Sequence, residues 1–236
     1  VEGAADDAQA DAAPPADAAP AFGNSTIRGT VTLPGEAPRR RRIDLGADEF
    51  CTSAHPDGLF SDTLLVAENG AVANVFVQVK SGLPRASYPA PSEPVVLDQI
   101  DCTYVPHVVG LQLGTKLIAK NSDLTMHNVH GYWEATRRDV FNFAQVSAGV
   151  QNEATLRRPG LVHEKCEVHS WMGAWVHVVR HPFFAVTGED GAFEIGRLPP
   201  GTYGIEAWHE KLGTRTRTVE VGEDGVVQVD FTFGDG

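Results

Sequence analysis

The stretch that is most informative about the fold is Pro159-Gly-Leu-Val-His-Glu-Lys-Cys166-Glu-Val-His169-Ser-Trp-Met172. Pro159-Gly160 is a turn signal that opens a strand. The strand leads into Cys166, His169 and Met172, which place a thiol, an imidazole and a thioether close together in the sequence. This spacing indicates a metal site in the loop after the strand.

The donor types favour copper. Sulfur ligands together with imidazole suit copper, and two His with one Cys and a long axial Met form the blue-copper electron-transfer arrangement. The stretch supplies one imidazole, so a second must come from elsewhere in the sheet. His127 and His130, in Met126-His-Asn-Val-His130, are the candidates.

Apolar and polar residues alternate with a period of two along most of the chain, which predicts strands. Turn signals separate these runs, and no segment sustains a helical apolar stripe. The predicted fold class is all-β, with two sandwiches. The clearest runs are Thr26–Leu33, Asn74–Lys80, Leu111–Ile118 and Val226–Phe233.

The segment Val95–His181 resembles a cupredoxin domain, a Greek-key β-sandwich that holds blue copper. The similarity rests on the strand patterns Val96–Pro106 and Leu111–Asn121, on His127-Asn-Val, and on the ligand loop quoted above. Within the family, the Cys-x-x-His-x-x-Met spacing looks most like the amicyanin type. Met126 and Ser170-Trp171 depart from the family pattern, but neither removes a ligand.

The resemblance implies one copper ion per chain with four ligands: His127, Cys166, His169 and Met172. It also implies that Asn128 links the two ligand loops. An exposed edge of His169 would pass single electrons to a redox partner protein, with Trp171 adding apolar surface there. By the same resemblance, His169 is expected to detach and protonate in the reduced state.

Several alternatives stay open. A Cys-x-x-His pair also occurs as a buried thiol beside a structural histidine, or as half of a zinc site. Glu164 is an alternative carboxylate ligand in a red-copper variant, and His130 is the substitute for His127. A second metal site is a further alternative, with three candidate ligands: His107, His163 and His181.

The remaining cysteines, Cys51 and Cys102, form either a disulfide or two buried thiols. We predict the disulfide, which fits an oxidising compartment. Together with the copper site, it predicts a periplasmic or secreted protein.

The stretch Phe184–Ala207 alternates across an Asp-Gly and a Pro-Pro-Gly turn, and it resembles the carboxypeptidase-regulatory-like, transthyretin-type sandwich. The segment after Pro182, about 55 residues, offers too few strands for a stable sandwich alone. We therefore predict an inserted organisation: a disordered tail (1–24), a first part of this sandwich (25–93), the cupredoxin domain (94–181) and the second part (182–236). A tandem arrangement, in which residues 25–93 form their own unit, is the alternative.

The chain has 236 residues and a net charge of −12, which argues against a nucleic-acid partner. Its apolar runs are too short to span a bilayer. The first 22 residues hold ten Ala, three Pro and five acidic residues but no Lys or Arg, typical of a disordered lead that could tether the protein to a membrane. Because numbering starts at Val1 without an initiator Met, we expect that a leader has been removed.

Two surface motifs have two interpretations each. Arg39–Arg42 is a basic run in an acidic chain, either a solvated loop or a docking patch for an acidic partner. Trp208–Lys211 is either core packing or an interface patch.

The sequence thus predicts a mononuclear copper protein that carries single electrons and is not an enzyme. Two other functions stay open. One is a copper carrier or storage protein, and the other is a structural or interaction module with a degenerate copper loop.

Overall fold

The computed structural model describes residue 19 and residues 21–234. The predicted tail lies mostly outside the described residues, so its disorder and its role as a tether stay predictions. The described part contains 17 strands and one short helix, which confirms the predicted all-β class. No helix in this part is long and apolar enough to cross a membrane.

The first elements are β1 (Ser25–Thr32), α1 (Glu49–Ala54) and β2 (Phe76–Ser81). The middle strands are β3 (Val95–Ile100), β4 (Thr103–Val105), β5 (Val108–Gln112), β6 (Lys116–Asn121), β7 (His127–Trp133), β8 (Asp139–Gln145), β9 (Gln151–Thr155), β10 (Gly160–Lys165) and β11 (Gly173–Val179). The last strands are β12 (Phe184–Val186), β13 (Ala192–Leu198), β14 (Gly201–His209), β15 (Gly213–Val221), β16 (Val226–Gln228) and β17 (Phe231–Thr232).

The central sandwich consists of β3 to β11. One sheet has the order β4-β3-β6-β9 and the other the order β5-β11-β10-β7-β8. Alternate side chains fill the space between the sheets, among them Leu97, Leu117, Val129, Val162 and Val176. Burial of each such side chain contributes about 1.5–3 kcal/mol, so the period-two pattern selects two sheets packed face to face.

The flanking sandwich combines strands from both ends of the described chain. One sheet has β1 between β13 and β16, with β17 also paired to β1, and the other has the order β12-β2-β14-β15. Its core likewise draws on both ends, for example Val77, Val79, Phe183, Tyr203 and Phe231. An inserted organisation requires these pairings. The domain boundaries and the likeness to transthyretin-type sandwiches stay predictions.

One segment before β2 packs on the central sandwich instead. We name residues 43–62 the strap. It contains α1, which the sequence pattern did not predict because six residues are too few to show a helical stripe. Phe50 and Cys51 contact the core of the central sandwich, and Cys51 forms the predicted disulfide with Cys102. Asp48 caps α1 by accepting the N–H of Cys51 at 2.8 Å.

The two sandwiches meet at an aromatic cluster. Phe76 stacks on His177 with ring centroids 4.0 Å apart, and Trp208 contacts His177 edge to face at 4.5 Å. Trp175 lies 5.4 Å from Trp208. Trp208 therefore packs between the two sandwiches.

Candidate metal centre

Two neighbouring strands bring the candidate ligands to one end of the central sandwich. β7 begins at His127, and β10 ends one residue before Cys166. The two strands pair antiparallel, so the start of β7 lies beside the loop that follows β10. That loop carries His169 and Met172 before β11 begins.

Three buried donor atoms converge there. Nδ1 of His127 lies 2.9 Å from Nδ1 of His169, and Sγ of Cys166 lies 3.9 Å from Nδ1 of His169. All three atoms lie within 4.8 Å of one another. Within residues 21–234, two further groups of three donors occur, but each includes Cys51 or Cys102, whose sulfurs are joined in the disulfide and offer no thiolate.

Met172 is buried and belongs, with Cys166, to the hydrophobic core of the central sandwich. Backbone bonds close the loop around it: the N–H of Cys166 donates to the Met172 carbonyl at 3.3 Å, and the N–H of Met172 donates to the His169 carbonyl at 3.0 Å. A thiolate, two imidazoles and a buried thioether are a donor set that suits copper.

A carboxylate binds each imidazole at its far nitrogen. Nε2 of His127 lies 2.8 Å from Oδ2 of Asp123, and Nε2 of His169 lies 3.1 Å from Oδ2 of Asp48. A hydrogen bond donated by Nε2 favours the tautomer in which Nδ1 carries no proton. Both rings are thus oriented to ligate through Nδ1.

Asp123 is itself fixed by the backbone. Its carboxylate accepts the N–H groups of Asp101 at 2.7 Å and Cys102 at 2.8 Å. These two residues form the turn between β3 and β4, with φ values of 51° and 56°. The side chain of Asn121 in turn accepts the N–H of Asp123 at 2.9 Å. The carboxylate therefore couples a tight turn to the orientation of His127.

Two side chains of the candidate site have pKa values shifted toward their charged forms. Burial raises the pKa of the Cys166 thiol, but bonds with His127 and with the N–H groups of His169 and Asn128 outweigh it and lower the pKa. Burial lowers the pKa of His127, but Asp123 and the Cys166 sulfur outweigh it and raise the pKa to about 9. A metal ion that bound Nδ1 of His127 at neutral pH would therefore have to displace a proton.

Asn128 occupies the linking position that the resemblance implied. Its Oδ1 accepts the N–H of Glu167 in the ligand loop at 3.3 Å, and its Nδ2 donates to the Phe143 carbonyl on β8 at 3.1 Å. Its own N–H donates to Sγ of Cys166 at 3.4 Å. One residue thus connects β7, β8 and the ligand loop.

The predicted exposed edge of His169 is wrong. His169 is only 3% exposed because Asp48 and the strap cover its Nε2 side. Trp171 is also held in packing, since its Nε1 donates to the Cys102 carbonyl at 3.1 Å. Burial and the bond to Asp48 both oppose the expected detachment of His169.

The two substitute ligands lie outside the donor cluster. His130 faces the surface, where its nitrogens lie 2.8 Å from Glu167 and 2.9 Å from Asp139. Glu164 is fully buried, and burial raises the pKa of its carboxyl to about 8. Neither residue joins the converging donors.

The remaining histidines have other partners. His107 lies between the carboxylates of Asp62 and Glu210. His163 stacks on Trp175 with ring centroids 3.8 Å apart. In the described ranges, no group of three metal donors includes His107, His163 or His181.

Sequence reasoning missed both orienting carboxylates. Asp123 lies four residues before His127, and its place in the loop ahead of a candidate ligand was the available signal. Asp48 lies 121 residues before His169, so only the tertiary fold brings the two together.

No family model matches this sequence, and no curated protein matches it. The solved structures to which this chain is similar include cupredoxins and a copper-containing nitrite reductase. Amicyanin from Paracoccus versutus is 20% identical, with 44% of this chain and 97% of that chain covered and a TM-score of 0.34. A purple cupredoxin from Nitrosopumilus maritimus is 18% identical, with 36% of this chain and 99% of that chain covered and a TM-score of 0.32. A copper-containing nitrite reductase from Thermus scotoductus is 18% identical, with 44% of this chain but 26% of that chain covered and a TM-score of 0.32.

Proposed function

We propose that this protein is a mononuclear blue-copper electron carrier and not an enzyme. One copper ion per chain would be bound by four residues: His127, Cys166, His169 and Met172. The observation that carries the proposal is the convergence of two Nδ1 atoms and one thiolate sulfur in a buried cluster, with both imidazoles already oriented by carboxylates.

Copper fits this donor set better than zinc does. A structural zinc site takes four Cys, His or carboxylate ligands, whereas the fourth buried side chain here is the thioether of Met172. Copper accepts a thioether as a weak axial ligand, and bound copper would take up and release one electron. The protein's own part is to hold the donors in place and to keep water away, which the strap does at His169.

The partner would be a second redox protein, and the compartment would be periplasmic or extracellular. The disulfide between Cys51 and Cys102 supports an oxidising compartment. A tether through the tail belongs to the same proposal. For the domain organisation, we propose that the cupredoxin domain is inserted into the flanking sandwich, because β1 pairs with β13, β16 and β17, and β2 pairs with β12 and β14.

The proposal is tested by visible absorption and electron paramagnetic resonance of the protein loaded with one equivalent of Cu(II). An intense thiolate-to-copper charge-transfer band is expected, bleached by reductant and absent in Cys166→Ala. His127→Ala should also lose the band. His130→Ala is the matched control, because this histidine lies three residues away on the same strand but outside the donor cluster.

Either of two results would overturn the proposal. One is a wild-type spectrum without an intense charge-transfer band, and the other is a band that survives in Cys166→Ala. A band lost in His130→Ala but kept in His127→Ala would instead move the inner ligand to His130.

A further inference from the structure

A cluster of basic side chains lies around two adjoining cavities beside the metal centre. The outer cavity is about 420 Å³ and the inner one about 260 Å³, and both are lined by Arg41, Ser61, Thr63 and Lys211. We name the two together the basic cleft. Its cationic residues come from three separate segments of the chain: Arg39, Arg40, Arg41, Lys165 and Lys211.

The positive charge of the basic cleft is only partly compensated. Its carboxylates, Asp62 and Glu210, both belong to the inner cavity and both face His107. Burial lowers the pKa of His107, but the bond with Glu210 and the charge of Asp62 outweigh it and raise the pKa, so this imidazole offsets part of their negative charge. Five cations therefore face two carboxylates on a chain whose net charge is −12.

The cations are positioned without being neutralised. Arg40 donates to the backbone carbonyls of Phe60 at 2.7 Å and Ser61 at 2.8 Å, which fixes the strap but removes no charge. Lys165 lies over the ring of Tyr132, with Nζ 5.4 Å from its centroid. Arg39 and Arg41 are exposed. The basic cleft thus presents positive charge to solvent.

The basic cleft also reaches the candidate metal centre. Trp171 and Met172 form part of the inner wall, so the charged surface ends at the ligand loop. On the other side, the strap buries His169 behind Asp48. A partner that docks at the basic cleft would approach the metal through Met172 and Trp171 and not through the imidazole edge.

We propose that the basic cleft docks the acidic face of a redox partner protein. This inference rests on the electron-transfer function proposed above. Opposite charges on the two partners raise the rate of productive encounter, and salt weakens the effect. Four exposed apolar side chains offer the rival docking surface: Leu124, Met126, Val146 and Val168.

The first test uses metal-free, ¹⁵N-labelled protein, so it does not depend on copper. Paramagnetic hexacyanochromate(III) represents an acidic face, and tris(ethylenediamine)chromium(III) is the cationic counterpart. The anion should broaden the amide signals of Arg41, Trp171 and Lys211, and the cation should not. Broadening centred on Leu124 and Met126, or spread evenly over the surface, would overturn the proposal.

The second test measures how fast the reduced, copper-loaded protein is oxidised by anionic hexacyanoferrate(III) and by cationic tris(phenanthroline)cobalt(III). In the triple variant Arg39→Glu, Arg41→Glu, Lys211→Glu, the rate with the anion should fall about tenfold or more and the rate with the cation should rise. The matched control is Arg28→Glu, Arg85→Glu, Arg217→Glu, which changes the net charge equally at exposed positions outside the basic cleft.

The outcomes separate the two proposals. Equal rate changes in both triple variants would show that only net charge matters and would overturn docking at the basic cleft. A protein that gives no electron to either oxidant would refute the electron-transfer function, whereas the broadening pattern still decides whether the basic cleft attracts anions.

Discussion

Removal of the Asp123 carboxylate should weaken both the fold and the metal site. In Asp123→Ala, the N–H groups of Asp101 and Cys102 lose their acceptor, and His127 loses its partner at Nε2. An unsatisfied buried donor costs about 1–3 kcal/mol, so the free energy of unfolding of the metal-free protein should fall by about 2–4 kcal/mol. Loss of such an orienting carboxylate should lower copper affinity by about 10–100-fold.

Two measurements separate these effects. Urea unfolding of the metal-free protein gives the stability loss, and competition with a Cu(I) chelator gives the affinity. Asp123→Asn keeps an acceptor oxygen for the turn but loses the charge, so it should recover part of the stability while affinity stays low. Asp139→Asn is the matched control, because Asp139 binds Nε2 of the surface histidine His130 at 2.9 Å. Copper affinity of Asp123→Ala equal to that of the control would refute the reasoning.

Three further outcomes are expected. Burial, and then the charge of Lys80, lowers the pKa of His177 to about 3. As pH falls, His177 therefore takes up a proton in the unfolded state before it does so in the folded state. The free energy of unfolding should decrease once the pH is below the pKa of His177 in the unfolded state. His177→Gln should remove about 1.4 kcal/mol per pH unit of this loss between about pH 6 and pH 4, as measured by urea unfolding across that range. The double variant Cys51→Ala, Cys102→Ala should have a free energy of unfolding about 2–4 kcal/mol lower, as measured by urea unfolding. The reason is that the disulfide closes a loop with a sequence separation of 51. A fragment that starts at Pro182 and lacks residues 25–80 should give the circular dichroism spectrum of an unfolded chain. The spectrum of a folded β protein would contradict the inserted organisation.

The strands could be predicted from sequence because their signal is local. Alternation marks β2, β6 and β14 whichever sheet they join, and turn residues mark where each strand ends. The four candidate ligands were predictable for a related reason: three lie within seven residues, and the resemblance supplied His127. The sequence pattern did not predict the strap. Its helix has only six residues, too few to show a helical periodicity, and the residues that it contacts lie far along the chain.

The burial of His169 could not be predicted from the local sequence. Its neighbours in sequence, Val168 and Ser170, give no sign that the imidazole is covered. The cover comes from Asp48, whose side chain caps α1 with one carboxylate oxygen and binds His169 with the other. The predicted disulfide between Cys51 and Cys102 was the only feature of the sequence that indicated a contact between the strap and the central sandwich.

Two parts of the chain contribute to the candidate metal centre. The central sandwich supplies every candidate donor, but a segment between β1 and β2 fixes the outer imidazole. Detachment of His169 would require the ring to leave Asp48 and the strap to move from a surface to which Cys51 is covalently joined. On the proposed function, a donor set held in this way would change little between the two oxidation states of a bound copper ion. Arg39, Arg40 and Arg41 come just before the strap in the chain and line the basic cleft, so the segment that shields the outer ligand directly follows the residues whose charge would guide a partner to the other side.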